Sequence, residues 1–313
     1  MQTSENPTPP ASRRWVVIFL MSLVWLLLSC GLAMWLYFHH EKTQAREEPS
    51  RYVTRINGRN VADDVSKLAK VVGERNPGSA DAAKAMERAV AFIEGSLGQS
   101  NPGHPLKRDP GPQTEAGAWP ILSARLAGKD PHLPAIWVVA AYDSRRGSPG
   151  VEFNATGVAS LIAVAGAISG ESFPRDVVFA FVPHGADPKS PVAETTGLLG
   201  KLMRAGSGAE TVLCVDAMGT GGDLWVSSRD AQCRAYRKLE GIGHVVGAEV
   251  LCFHDDFDVV SVLFESGFSA ARVGTREPAV PDEGDDVLPA PATLAASSGH
   301  LAELVRRLAA KDG

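Results

Sequence analysis

Carboxylates and imidazoles at the ends of apolar runs are the groups that hold metal ions and move protons. This chain places such groups at Asp143, His184, Asp187 and Asp216, within His254-Asp255-Asp256-Phe257-Asp258, and at Glu277. If Asp216 converged within about 5 Å with His184, Asp187, His254 and Glu277, the set could hold a cation and lower the pKa of a bound water. Each residue also has a plainer reading. Asp143 and Asp216 could cap the loops after their strands by accepting backbone N–H bonds. A lone His after a strand is more often a satisfied or solvent-facing residue than a base. The side chains of 254–258 are nearly contiguous and diverge, which suits an Asp capping a helix better than a metal cluster. The acidic run 282–286 reads as a solvated loop.

The segments that carry these residues follow a definite order. Arg75-Asn76-Pro77-Gly78-Ser79 comes first, and Ala140-Ala141-Tyr142-Asp143-Ser144 then closes an apolar run. Pro149-Gly150-Val151-Glu152-Phe153-Asn154-Ala155-Thr156-Gly157 opens a helical pattern. Phe181-Val182-Pro183-His184-Gly185-Ala186-Asp187 and Val215-Asp216-Ala217-Met218-Gly219 follow. In this order and spacing the chain resembles the di-zinc aminopeptidases, the family that also includes the glutaminyl cyclases, over roughly residues 56–312. In that family the metal ligands come as a His two residues before an Asp, a bridging Asp before an Asn, a Glu-Glu pair of base and ligand, an Asp at a strand end and a final His.

Carried over position by position, the resemblance implies a site that has lost its chemistry. Asp143 stands in place, but the His position before it is Ala141. Asn154 is kept, while the bridging position is Phe153, whose ring cannot join two cations. The Glu-Glu pair falls at Gly185 and Ala186. Asp216 is the retained ligand-position residue, and the final His should lie near Pro278, where no histidine occurs between His254 and His300. The implied protein is a membrane-anchored pseudopeptidase that binds or scaffolds, with no catalytic residue and no cofactor. The alternative is an active metallopeptidase or amide hydrolase with a rebuilt site using zinc. A peptide or protein ligand in the vestigial cleft is the implied partner.

The elements that must position these residues are legible from the run lengths. Short apolar runs at 120–126, 135–141, 177–182, 211–216, 223–227, 249–253 and 269–274 read as strands, most of them buried on both faces. They alternate with helical patterns at 156–168, 192–205, 230–246, 257–266 and 292–310. The expectation is a three-layer α/β domain with a largely parallel mixed sheet between helices. Val61, Val65, Leu68 and Val72 fall on one face of a preceding helix, and a second helix covers 80–97. The Pro- and Gly-rich stretch 98–118 reads as loop.

The whole chain of 313 residues, 44% hydrophobic, can bury one sizeable core. Its formal charge of −5 and lack of basic clusters leave no footprint for nucleic acid. Its four cysteines form no disulfide framework and no metal spacing. Residues 15–38 contain no charged side chain and would span roughly 36 Å as a helix, enough for a bilayer core of about 30 Å. The run outlasts an ordinary signal peptide and continues eight residues past Cys30, so it reads as one uncleaved transmembrane anchor. The expected layout is a disordered tail at 1–14, the anchor at 15–38, a charged linker at 39–55 and the globular domain at 56–312. Arg13 and Arg14 sit on the short side and Lys42, Arg46, Arg51 and Arg55 on the other, so a plain count does not set the orientation. The far-side charges are interleaved with Glu41, Glu47 and Glu48 and precede a long domain, which is expected to be extracytoplasmic behind a short cytoplasmic tail.

Overall fold

Runs of β-branched and aromatic residues with no polar face can only be strands covered on both sides. AIWVVAA at Ala135–Ala141 and VVFAFV at Val177–Val182 are of this kind, and all their residues are buried except the half-buried Ala141. In the computed structural model, which describes residues 12–47, 56–98, 105–228, 248–252, 259–276 and 287–310, both are central strands. The chain divides into two units, Met1–Arg51 and Tyr52–Gly313.

The first unit holds helix α1 (Ser12–Glu47), 36 residues long. Within it, Val17–Leu36 is long and apolar enough to cross a membrane, a composition that fits a span or a signal sequence. The helix continues through 39–47, part of the stretch read as a linker. Its residues there (HHEKTQARE) include strong helix formers, and the next proline after Pro10 is Pro49.

In the second unit, α2 (Gly58–Ser66) runs into a π-helical stretch (Lys67–Val72) and is followed by α3 (Ala80–Leu97). Then come β1 (Leu106–Asp109), β2 (Gln113–Thr114), β3 (Gly117–Ala118), β4 (Ile121–Leu126) and β5 (Ala135–Ala141). A π-helical turn (Val151–Ala155) leads into α4 (Thr156–Ala167), and β6 (Val177–Val182), α5 (Val192–Ala205), β7 (Ala209–Val215) and β8 (Leu224–Ser228) follow. The remaining described elements are β9 (Ala248–Cys252), α6 (Val259–Glu265), β10 (Ala270–Gly274) and α7 (Pro291–Ala310).

Eight strands form one sheet in the order β1-β4-β6-β5-β7-β10-β8-β9, and β2 pairs β3 in a separate hairpin. The centre β6-β5-β7-β10 is parallel, with Val138 opposite Phe179 on one side and Leu213 on the other. Strands β1, β4 and β8 run antiparallel to their inner neighbours, so the sheet is mixed. Successive β5 residues serve opposite layers. Ile136, Val138 and Ala140 pack with α2, α3, α4 and α7, and Trp137 and Val139 pack with α5 and α6. The three-layer α/β expectation therefore holds.

Two local expectations differ. Residues 98–118, read as loop, contain the edge strand β1 and the hairpin; LKRD is too short and too charged to display an apolar alternation, as suits an edge. The expected single helix carrying Val61, Val65, Leu68 and Val72 widens to a π-helical stretch at Lys67, with all four residues still buried. The helix read at 230–246 lies outside the described residues.

A buried cation, Arg75, ties several of these elements together. Arg75, 1% exposed, donates from Nε to the Tyr142 carbonyl (2.9 Å) and from Nη1 to the carbonyls of Leu68 (2.8 Å), Gly73 (2.7 Å) and Pro149 (2.9 Å). It thereby joins the end of the π-helical stretch to the loop after β5. Ser79, which ends the same motif, caps α3 by accepting from the Ala82 amide at 3.2 Å.

Candidate functional site

In parallel sheets, ligands sit beyond the carboxyl ends of strands where successive connections leave a strand to opposite sides. Here that strand is β5: the chain passes to β6 on one side and then to β7 on the other. The loops after β5, β6, β7 and β10 meet there with the start of α4. Gly157 allows the approach, since a Cβ on it would lie 2.7 Å from the Asp216 carbonyl oxygen.

Asp143 is fully buried and turned onto backbone. Its Oδ1 accepts from the amides of Gly185 (3.0 Å) and Ala186 (3.1 Å), and its Oδ2 from those of Ala186 (3.1 Å) and Asp187 (3.2 Å). Burial pushes its carboxyl up to about 7, against the opposing pull of these N–H donors and of Arg75. The carboxylate therefore orders the loop 185–187.

Ala141 and Gly185 have closed on each other. A Cβ on Gly185 would lie 2.7 Å from Ala141 Cβ and 3.0 Å from Val259 Cγ2. Asn154 donates from Nδ2 to the Ala141 carbonyl at 3.2 Å and so fastens the π-helical turn to β5. Beside it, the half-buried ring of Phe153 has two guanidiniums over it: Arg145 Cζ lies 4.9 Å from the centroid and Arg276 Cζ 4.7 Å.

The remaining carboxylates are paired. Asp216 accepts at Oδ2 from Arg272 Nε at 2.8 Å. Asp187, 3% exposed at its side chain, accepts at Oδ2 from Arg146 Nε at 2.9 Å and at Oδ1 from the Lys189 amide at 3.1 Å. His184 is fully buried with its ring 5.8 Å from Trp119 at 80°, and neither ring nitrogen has a hydrogen-bond partner among the described residues. Burial lowers its pKa to about 4, although the Asp187 charge pulls the other way, so the ring is neutral.

A pair of metal ions needs convergent lone pairs. Ala141 and Gly185 offer none, Phe153 brings two cations instead of a carboxylate, and Asp143 and Asp216 use theirs on N–H donors. Among the described residues, no three His, Cys, Asp or Glu side chains come together as a metal-binding group. The described residues do not fit the metal pair that the resemblance brings with it. Of the proposed rebuilt site, His184 lies within the field of the Asp187 charge, while Asp216 is engaged by Arg272. His254 and Glu277 lie outside the described residues. The sequence reading missed the arginines, although Arg145 and Arg146 directly follow the Asp143 motif and Arg272 and Arg276 bracket the end of β10.

The fold recurs in known structures. The chain aligns with BSAP, a zinc aminopeptidase from Bacillus subtilis, at 11% identity and a TM-score of 0.67, over 83% of this chain and 97% of that one. It aligns with the LapA aminopeptidase of Legionella pneumophila at 15% identity and 0.62, covering 87% and 75%. For Tannerella forsythia glutaminyl cyclase the values are 13% and 0.61, covering 80% and 99%. No family model and no curated protein matches the sequence. The chain thus has the fold shared by zinc aminopeptidases and glutaminyl cyclases.

Proposed function

We propose that this protein is a membrane-anchored, non-catalytic member of the peptidase-like fold that binds a peptide or protein segment in its vestigial cleft. The observation that carries the reading is the Arg272–Asp216 pair at 2.8 Å: the retained ligand-position carboxylate is neutralised by the chain's own cation. The Ala141–Gly185 contact and the arginines over Phe153 support it, because each puts a group useless to zinc at a former ligand position. Residues 15–38 would be the single-pass anchor, with a short cytoplasmic tail and an extracytoplasmic domain. No cofactor is needed for this role.

A rebuilt hydrolase is the second reading, favoured by the unpaired, neutral ring of His184 near Asp187. It would need zinc and the help of Asp216, His254 and Glu277. Purified full-length protein, assayed for aminopeptidase and glutaminyl cyclase turnover with and without added zinc, separates the two. No turnover in either condition is expected, and zinc-dependent turnover would overturn the non-catalytic reading.

A further inference from the structure

His184 follows β6 with its side chain fully buried, and neither ring nitrogen is hydrogen-bonded among the described residues. Buried side-chain polar atoms are paired in the large majority of cases, so an imidazole unpaired at both nitrogens calls for an occupant that pairs it. Its place is fixed from both sides. Val182 ends a central strand before it, and the amides of Gly185, Ala186 and Asp187 after it are held by the Asp143 carboxylate. Rigid placement of this kind spares a receptor group the ordering cost of binding. The neutral ring carries one N–H and one lone pair. A peptide amide offers the matching lone pair and N–H, whereas a carboxylate offers acceptors alone.

The ring is covered by a strap. The β2-β3 hairpin pairs with itself and stands apart from the main sheet, with Gln113, Glu115, Ala116 and Ala118 exposed along it. The strap returns through Trp119, whose ring meets the imidazole edge-on at 5.8 Å. Its two legs lie close together on β6's end, since a Cβ on Gly111 would collide with the Trp119 carbonyl oxygen and lie 3.2 Å from Pro183 Cγ. Tyr142 ties it down by donating from its hydroxyl to the Pro120 carbonyl at 2.8 Å. A two-stranded hairpin is marginally stable by itself, so this is an element that can lift without unfolding the sheet beneath it.

From this we infer that His184 is the amide-binding anchor of the cleft and that the strap carrying Trp119 is its gate. Lifting the indole lets a backbone amide of a bound peptide exchange hydrogen bonds with the ring. The inference rests on the peptide-binding reading above.

The test uses full-length protein in detergent micelles with acetyl-trialanine N-methylamide and with its counterpart in which esters replace the amides. Calorimetry follows binding, chromatography follows cleavage, and mass spectrometry follows acylation of His184 by diethyl pyrocarbonate. The amide peptide should bind saturably and slow the acylation. The ester counterpart on wild type, and the amide peptide on His184→Phe, should each bind about tenfold more weakly or worse. His184→Gln, which keeps a donor and an acceptor, should fall between His184→Phe and wild type. In the free protein, Trp119→Ala should speed acylation of His184 by about tenfold or more, as a larger open population requires. Tyr142→Phe, which unties the strap and leaves the core filled, should speed it too, and it carries this arm should Trp119→Ala not melt cooperatively. No saturable binding of the amide peptide, or equal binding of its ester counterpart, would overturn the anchor. Insensitivity to His184→Phe would overturn it as well, yet leave the binding-domain reading standing. Unchanged acylation in the strap variants would overturn the gate. Cleavage of the peptide would overturn the non-catalytic reading on which the inference rests.

Discussion

A methyl group at Gly185 has no room against Ala141 and Val259. Gly185→Ala should therefore cost about 1–3 kcal/mol in chemical denaturation, as overpacking does; a neutral change would mean that Ala141 and Val259 can move aside. His184 gives a pH signature. Its pKa of about 4 in the folded chain lies below the ordinary 6.5. The unfolded chain thus binds the proton more tightly between those values, and the neutral ring's contribution to stability is present above pH 6.5 and lost as the pH falls towards 4. Asp143 works in the opposite sense: with its carboxyl raised to about 7, stability falls as the pH rises from 3.8 towards 7. The two effects oppose each other in wild type, so a difference measurement is needed. His184→Phe should gain thermal stability relative to wild type as the pH drops through 6.5 to 4, and parallel curves would contradict a buried neutral imidazole. The losses at Ala141, Phe153 and Gly185 were legible in the sequence because each is a change of residue type inside a spaced motif. The guanidiniums that reach Asp216 and Phe153 from β10 were not, because Arg272 and Arg276 lie more than fifty residues beyond Asp216 and only the folded sheet brings β10 beside β7.

Elements defined by composition alone were read from the sequence closely. Strands β5 and β6 and helices α3 and α5 match the expected spans end for end, because uninterrupted apolar runs and a Ser79 cap leave little choice of boundary. The edge strand β1 escaped notice since its stability comes from pairing with β4, Leu106 opposite Ala124, and from nothing in its own four residues. The fastening of elements by Arg75 is likewise a matter of three dimensions. Its guanidinium serves carbonyls of Leu68, Gly73, Tyr142 and Pro149, which would be left without that donor in Arg75→Met. At roughly 1–3 kcal/mol for each buried group left unpaired, the substitution should destabilise the domain by about 3 kcal/mol or more. Denaturant titration checks this, and a loss below about 1 kcal/mol would mean that the carbonyls find other donors.

For the molecule as a whole, two physical separations matter: a long apolar helix from an α/β unit with its own core, and a folded core from any metal. An apolar stretch of 20 residues, Val17–Leu36, should keep the full-length protein in membranes through carbonate extraction. Release of a chain beginning at Cys30 or later would identify a cleaved leader instead. The two hydrophobic layers on either side of the sheet contain the fold's apolar burial and no metal ligand is needed to form them. A chelator should accordingly leave the melting temperature unchanged, unlike a domain whose metal binding is part of its folding free energy. The most direct test of the central claim is calorimetric titration of zinc into the purified full-length protein. With Ala141 and Gly185 in contact, Asp216 held by Arg272 and Phe153 under two guanidiniums, no saturable zinc binding is expected. Tight, stoichiometric binding would contradict the account, because it would mean that a complete ligand set survives at this site.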